Sequence, residues 1–187
     1  MFIETTLKGF KVPFHVNFEE VNLRFYVRHY DNGIWKRGVV FIKEIVPKPA
    51  LTFIANTFYN ENYQTMPMKH SWIISSDNLT VEYQWKKSRW NSLKVIANKN
   101  LSLIQPDSEE EFITEHYWGY TKLNHRETSE YGVEHPKWNV YQTLDYLIDV
   151  DFAEIYGDEF NFLQTEKPKS VFLAEGSKIQ VKSNRTL

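Results

Sequence analysis

The most reactive pairing of side chains in this 187-residue sequence lies in Met66-Pro67-Met68-Lys69-His70, where an amine and an imidazole are neighbours. A lysine becomes a Schiff-base nucleophile only when burial or a nearby cation drags its pKa toward working pH. Most lysines instead lay their stems along apolar surface and keep the charge in water. Successive strand residues face opposite ways, so His70 shares a face with Met68 and Lys69 does not. Glu115-His116 and Glu134-His135 are carboxylate–imidazole neighbours along the chain; the second pair reaches one pocket only if Pro136 bends the backbone. Glu175 closes the apolar run Val171-Phe172-Leu173-Ala174 ahead of Gly176. A carboxylate there can be a general acid, a ligand clamp or a polar hairpin group, and the wetness of strand ends favours the last.

Two charged stretches point to other chemistries. Residues 83–99 carry Lys86, Lys87, Arg89, Lys94 and Lys99, with Trp85 and Trp90 among them and no Asp or Glu. Phosphate pairing and base stacking would suit a single-stranded nucleic acid, but strand alternation turns the aromatic positions to a core and the lysines to water. The acidic residues 107–115 follow as a local counter-charge. Asp145, Asp149 and Asp151 share one face of residues 143–152. Their spacing of ~6 to 7 Å per repeat is too wide for one hard cation without loop ligands, so no metal is expected. The six histidines make no His-Glu-x-x-His spacing, and no Gly-x-Ser-x-Gly or glycine-rich phosphate loop occurs. Hydrolase, kinase and dinucleotide readings lose their usual support, and no cofactor is expected.

The elements that must position these groups read mainly as strands. Residues 21–29 alternate Leu23, Phe25 and Val27 with polar neighbours, and Asp31-Asn32-Gly33 offers a tight reversal into 34–45. Residues 79–87, 92–98, 130–141 and 143–152 follow as strands, with 170–174 and 178–183 as a hairpin about Glu175-Gly176-Ser177. Residues 47–59 read as a helix with proline near its start. Ser108 followed by Glu111 is a capping box opening a second helix to about residue 117, and a short third helix is expected over 152–156. Forty-two per cent hydrophobic and 16% aromatic residues suffice for one buried core without disulfides, and there is no cysteine. That last absence fits a reducing, cytoplasmic setting. Nothing approaches the ~20 apolar residues of a membrane helix, and no signal-peptide pattern opens the chain, so no membrane partner is expected. A net charge of −2 favours no charged partner.

Five strings, VNFEEVNLRFYVR (16–28), MPMKHSW (66–72), FITEHYWGYT (112–121), VEHPKWNVY (133–141) and SVFLAEGS (170–177), run in order through nearly the whole chain. Together they resemble the YqjF-like family of uncharacterised bacterial proteins, grouped with the acetoacetate decarboxylase-like superfamily. The resemblance implies a mostly β (α+β) fold. This would be an antiparallel cone-shaped β-barrel with two or three flanking helices around a central pocket, forming one domain over residues 1–187. Such proteins usually carry further residues ahead of the part that looks like residues 2–18. The barrel is therefore expected to be incomplete at its N-terminus, with an unpaired edge that favours a homodimer.

In acetoacetate decarboxylases the Schiff-base lysine follows a proline and precedes a second lysine. Here Pro67 is followed by Met68 and Lys69, so a thioether stands at the reactive position and Lys69 matches only the assisting lysine. Imine decarboxylation is not expected. The resemblance implies instead a pocket for a small organic anion, with Arg24 as anion anchor, Met68, His70, Glu115 and His116 as lining groups, and Glu175 near the mouth. The alternatives are a lyase or hydrolase acting on a small keto acid through His70 or Lys69, and nucleic-acid binding through residues 83–99.

Overall fold

The computed structural model describes residues 1–6 and 14–187. Its first unit is the expected hairpin, β1 (Val21–Asp31) and β2 (Ile34–Val46). Asn32 and Gly33 both take positive φ, 49° and 86°, and this is the two-residue turn whose twist matches the flanking strands. Helix α1 (Pro49–Tyr59) follows, with its proline in the first turn where the missing N–H costs nothing. It ends on Asn60 in the left-handed conformation. Strand β3 (Tyr63–Thr65) then lies parallel to the end of β2.

The chain changes sheet at Pro67. Met66 still donates to Val46 O, but the Pro67 carbonyl accepts from Lys86 of the second sheet. Proline cannot donate to the first ladder, so the ladder ends there. Strands β4 (Met68–Ile74), β5 (Asn78–Lys86) and β6 (Trp90–Leu103) form an antiparallel meander. Helix α2 (Glu109–Thr114) opens with Ser108 accepting from Glu111 N at 3.1 Å, the predicted cap. It stops three residues short of the expected 117. Strands β7 (Trp118–Lys122) and β8 (Thr128–Glu134) return to the first sheet, and β9 (Asn139–Asp149) joins the second beside β6.

Three sequence expectations need correction. Residues 130–141 are not one strand: β8 ends at Glu134 and β9 begins at Asn139, because Pro136 interrupts any ladder. The strand over 143–152 ends at Asp149, and Asp151 caps α3 (Phe152–Tyr156) by accepting from Glu154 N. A 3-10 helix over Asp158–Gln164 follows. The supposed C-terminal hairpin is two separate pairings, β10 (Leu173–Ala174) on β9 and β11 (Gln180–Val181) on β8, with β12 (Arg185–Thr186) also on β8. Gly176 at φ 73° sends the chain from one sheet to the other.

The sheets are β1-β2-β7-β8-β11, with β3 on β2 and β12 on β8, and β10-β9-β6-β5-β4. Strands make up 49% of the described residues and helices 16%, so the fold is mostly β, with a sheet curled into a half-barrel. The apolar core sits where Ile45, Met66, Trp85, Val150, Ile155 and Tyr156 meet, with Val21, Leu23, Met68 and Leu93 packed against them. Among the described residues no helix is long and apolar enough to cross a membrane.

Trp85 is 0% exposed and its indole Nε1 has no hydrogen-bond partner among the described residues. Trp85→Ala is expected to lower stability by roughly 3–5 kcal/mol in urea denaturation, the cost of an aromatic cavity. Trp85→Phe, which also deletes the unpaired donor, should lose less than half of that. Equal losses would show that the ring's packing does not hold the two sheets together.

Candidate functional site

The site begins with one extra residue. In the β1–β2 ladder Leu23 pairs with Lys43 and Arg24 with Phe41, so Ile42 has no partner and β2 bulges. Opposed residues of an antiparallel pair share a face, and a bulge shifts the alternation by one. Val39 and Phe41 therefore face the same way as Tyr26 and Arg24, and beyond the bulge Glu44 joins them through its pairing with Asn22. Without the insertion Glu44 would fall on the side of Ile45 and the apolar core.

Around Glu44 the sheet gathers polar groups. Tyr63 pairs with it across β2 and β3, and its hydroxyl hydrogen-bonds the Glu44 carboxyl. Glu20, just ahead of β1, accepts from Asn22 Nδ2 at 3.2 Å. Thr121 on β7 donates to Glu61 at 2.7 Å. Tyr131 on β8 faces Gly119 across the ladder, where a β-carbon on Gly119 would sit 2.1 Å from the Tyr131 ring; the missing side chain makes room for the phenol. Glu20, Tyr63 and Tyr131 are half-buried on this polar face and bound a candidate recess.

The electrostatics of this recess are unusual. Burial raises the Glu44 carboxyl well above the usual carboxylate range, and the charges of Glu20 and Glu61 raise it further against the Tyr63 hydrogen bond. Burial likewise raises Glu20, opposed by Asn22, the Met1 amino group, Arg24 and Tyr63. Glu61 is raised by burial against its bond from Thr121. Glu44 is 4% exposed, and its Oε2 has no partner among the described residues.

At the next repeat along β1 stands Arg24. Its guanidinium donates to Ile113 O at a long 3.4 Å and lies 5.6 Å from the Tyr26 ring centre. It forms no ion pair within 4 Å among the described residues. Tyr26 packs on the buried His116 at 4.5 Å between ring centres, with Phe112 of α2 against both. Burial first, then the charges of Arg37 and Arg24, push the His116 imidazole down to about 4, so it is neutral, and its Nδ1 has no partner among the described residues. Arg24 and His116, expected as pocket groups, are thus brought together, and the Arg24 charge also bears on Glu20, which with Glu44 and Glu61 carries no signal of its own in a motif.

The other expected groups lie elsewhere. Met68 packs on the core, and His70, which shares Met68's face in the β4–β5 register, binds Glu19 through Nδ1 at 2.7 Å. Lys69 points to the opposite face, its Nζ 4.4 Å from the centre of the Trp90 ring. Glu175 accepts from Asn139 N and Nδ2, both at 2.9 Å, where β10 ends on β9. In residues 83–99, Trp85 is sealed in the core, Arg89 pairs with Asp149 at 2.9 Å, and Lys99 donates to Ser75 O and Ser76 O. Among the described residues no three His, Asp or Glu side chains converge for a metal ion.

Glu115 lines a separate open groove of about 550 Å³ with Trp35, Lys36, Tyr117 and Trp118. Of its charged groups, Arg37 donates to Phe112 O at 3.2 Å and forms no ion pair among the described residues. Lys36 bridges Asp31 and Glu130, both at 2.8 Å, and the Tyr117 hydroxyl donates to Glu115. Around Glu44 and His116, by contrast, buried polar atoms have no partner among the described residues, which is the feature that marks candidate sites.

The chain belongs to the DUF2071 family, described as an uncharacterized conserved protein (COG2071), whose model matches residues 1–178. No curated protein matches it.

The raised Glu44 carboxyl has a consequence for stability. Between its ordinary value of 4.5 and the folded value, the folded chain keeps a proton that the unfolded chain has lost, so stability falls as pH rises. Glu44→Gln should flatten that fall and gain at least about 1.4 kcal/mol over the parent at pH 8 relative to pH 4, the worth of one pKa unit. His116 works in the other direction, its contribution vanishing as pH drops from 6.5 toward 4. Urea midpoints across this range test both, and parallel curves for parent and Glu44→Gln would refute the carboxyl assignment.

Proposed function

We propose that this recess binds a small organic acid, with Arg24 as the group that holds its carboxylate. The supporting observation is the guanidinium itself: half-buried, with five donors and, among the described residues, one long hydrogen bond at 3.4 Å. A carboxylate answers a guanidinium with two parallel charge-assisted bonds. The neutral His116 imidazole beside it adds a polar atom without adding charge. The resemblance to the YqjF-like and acetoacetate decarboxylase-like proteins supports the same reading, since a cone-shaped barrel encloses such a pocket.

A second reading has one observation in its favour. Glu19 holds His70 by Nδ1, which leaves Nε2 free as a general base for a lyase or hydrolase. Self-association also has a physical support, because β4 is a sheet edge with Trp72, Ile73 and Ile74 exposed.

Isothermal titration with acetate, butyrate, 2-oxobutyrate and acetoacetate tests the proposal. At least one should bind, and Arg24→Gln should weaken it tenfold or more, about 1.4 kcal/mol, while the urea midpoint of the free protein changes little. Silence across the panel, or an Arg24→Gln protein that binds as tightly as the parent, would refute it.

A further inference from the structure

Glu130 shows how this fold neutralises a buried carboxylate. It is 1% exposed and burial alone would raise it. Lys36 at 2.8 Å, Arg185 at 2.7 Å and Tyr120 at 3.0 Å outweigh that and hold it below the usual carboxylate range. Glu44 is buried almost as completely, yet no cation among the described residues pairs with it, and its Oε2 points at no donor. The groups acting on it are Glu20 from the lead into β1, Glu61 from the segment before β3, Tyr63 of β3 and Tyr131 of β8; Thr121 of β7 reaches Glu61, the Met1 amino group reaches Glu20, and the Arg24 charge bears on Glu20 and Tyr131. Every one of the groups on Glu44 is acidic or phenolic.

Resting on the organic-acid reading above, we propose that the ligand is an aminocarboxylate, whose ammonium group takes the place beside Glu44 and Glu20 that Lys36 and Arg185 take beside Glu130. The geometry supplies two unlike anchors in register. Arg24 pairs with Phe41 and Asn22 with Glu44, so the cationic and acidic stations stand one side-chain repeat apart, about 7 Å along the strand. A carboxylate at one and an ammonium at the other would satisfy the under-bonded guanidinium and the orphaned Oε2 together. A metal ion is the poorer occupant, since the described residues bring no three ligating side chains together.

An ammonium favours the ionised carboxyl, so binding must release a proton from the Glu44–Glu20 pair, and affinity should rise with pH until the amine itself deprotonates near 10. The full chain is titrated calorimetrically with 4-aminobutyrate, butyrate and butylamine at pH 7 in two buffers of different ionisation enthalpy. We expect 4-aminobutyrate to bind at least tenfold more tightly than either half-molecule, with buffer-dependent heat reporting proton release. Glu44→Gln should erase the preference for the amine and the proton release while leaving butyrate binding in place. Should that variant fail to fold, Glu20→Gln and the parent's own two-buffer heats carry the same test. Butyrate binding as tightly as 4-aminobutyrate overturns the aminocarboxylate assignment and leaves the organic-acid reading standing. Butylamine binding as tightly as 4-aminobutyrate overturns the role of Arg24 and with it both readings, as does no binding at all. Tight binding without proton release overturns the pairing with Glu44.

Discussion

The unpaired Ile42 in β2 determines what kind of interior this protein has. On its N-terminal side the strand offers Val39 and Phe41 to one face; beyond it that same face receives Glu44, while Ile45 closes the core behind. One inserted residue therefore divides polar from apolar across the thickness of a single strand. Lys43, paired with Leu23 on the core side, reaches the Ile155 carbonyl at the end of α3. Its stem runs along apolar surface and its charge ends on a helix carbonyl, where a cation is favoured.

Two buried glutamates have opposite surroundings. Glu130 joins Lys36, Arg185, Tyr120 and, through the shared cations, Asp31, tying the β1–β2 hairpin to β8 and β12. Removing a partner from such a network leaves an uncompensated charge, so its stability is that of the whole set. Glu44 has the opposite surroundings, other acids and phenols, and burial raises it. Buried carboxylates that differ only in their neighbours thus become a fastener in one place and a proton-holding group in another, and groups of the second kind cluster at functional sites.

The hairpin, the capped α2, the proline-led α1 and the long β5 and β6 were legible because each has a local signal: alternation, a turn dipeptide, a capping residue. The C-terminal pairings were not, since residues 170–181 form two-residue ladders on strands far away in sequence, and only the tertiary approach of β8 and β9 selects them. The recess was half legible. Arg24 and His116 stood out by type, whereas Glu20, Glu44 and Glu61 sit on three segments and meet only through the bulge and a parallel pairing. A signal for Glu44 did exist: it is an acid inside Phe41-Ile42-Lys43-Glu44-Ile45-Val46, a run otherwise fit for burial. A charged residue in such a run is either a strand error or a buried group with a purpose.

The placement of Lys69 completes the argument about where chemistry can reside. Register with β5 puts Met68 opposite Trp85 and His70 opposite Tyr83, on the face that meets the core, and alternation turns Lys69 to the other side, over Trp90. An imine nucleophile requires desolvation or a cation beside it; an aromatic face stabilises the charged ammonium instead. The interior position nearest in sequence is a thioether packed on the core cluster that contains Trp85. The buried polar atoms left without a partner among the described residues, those of Glu44 and His116 included, lie away from Lys69.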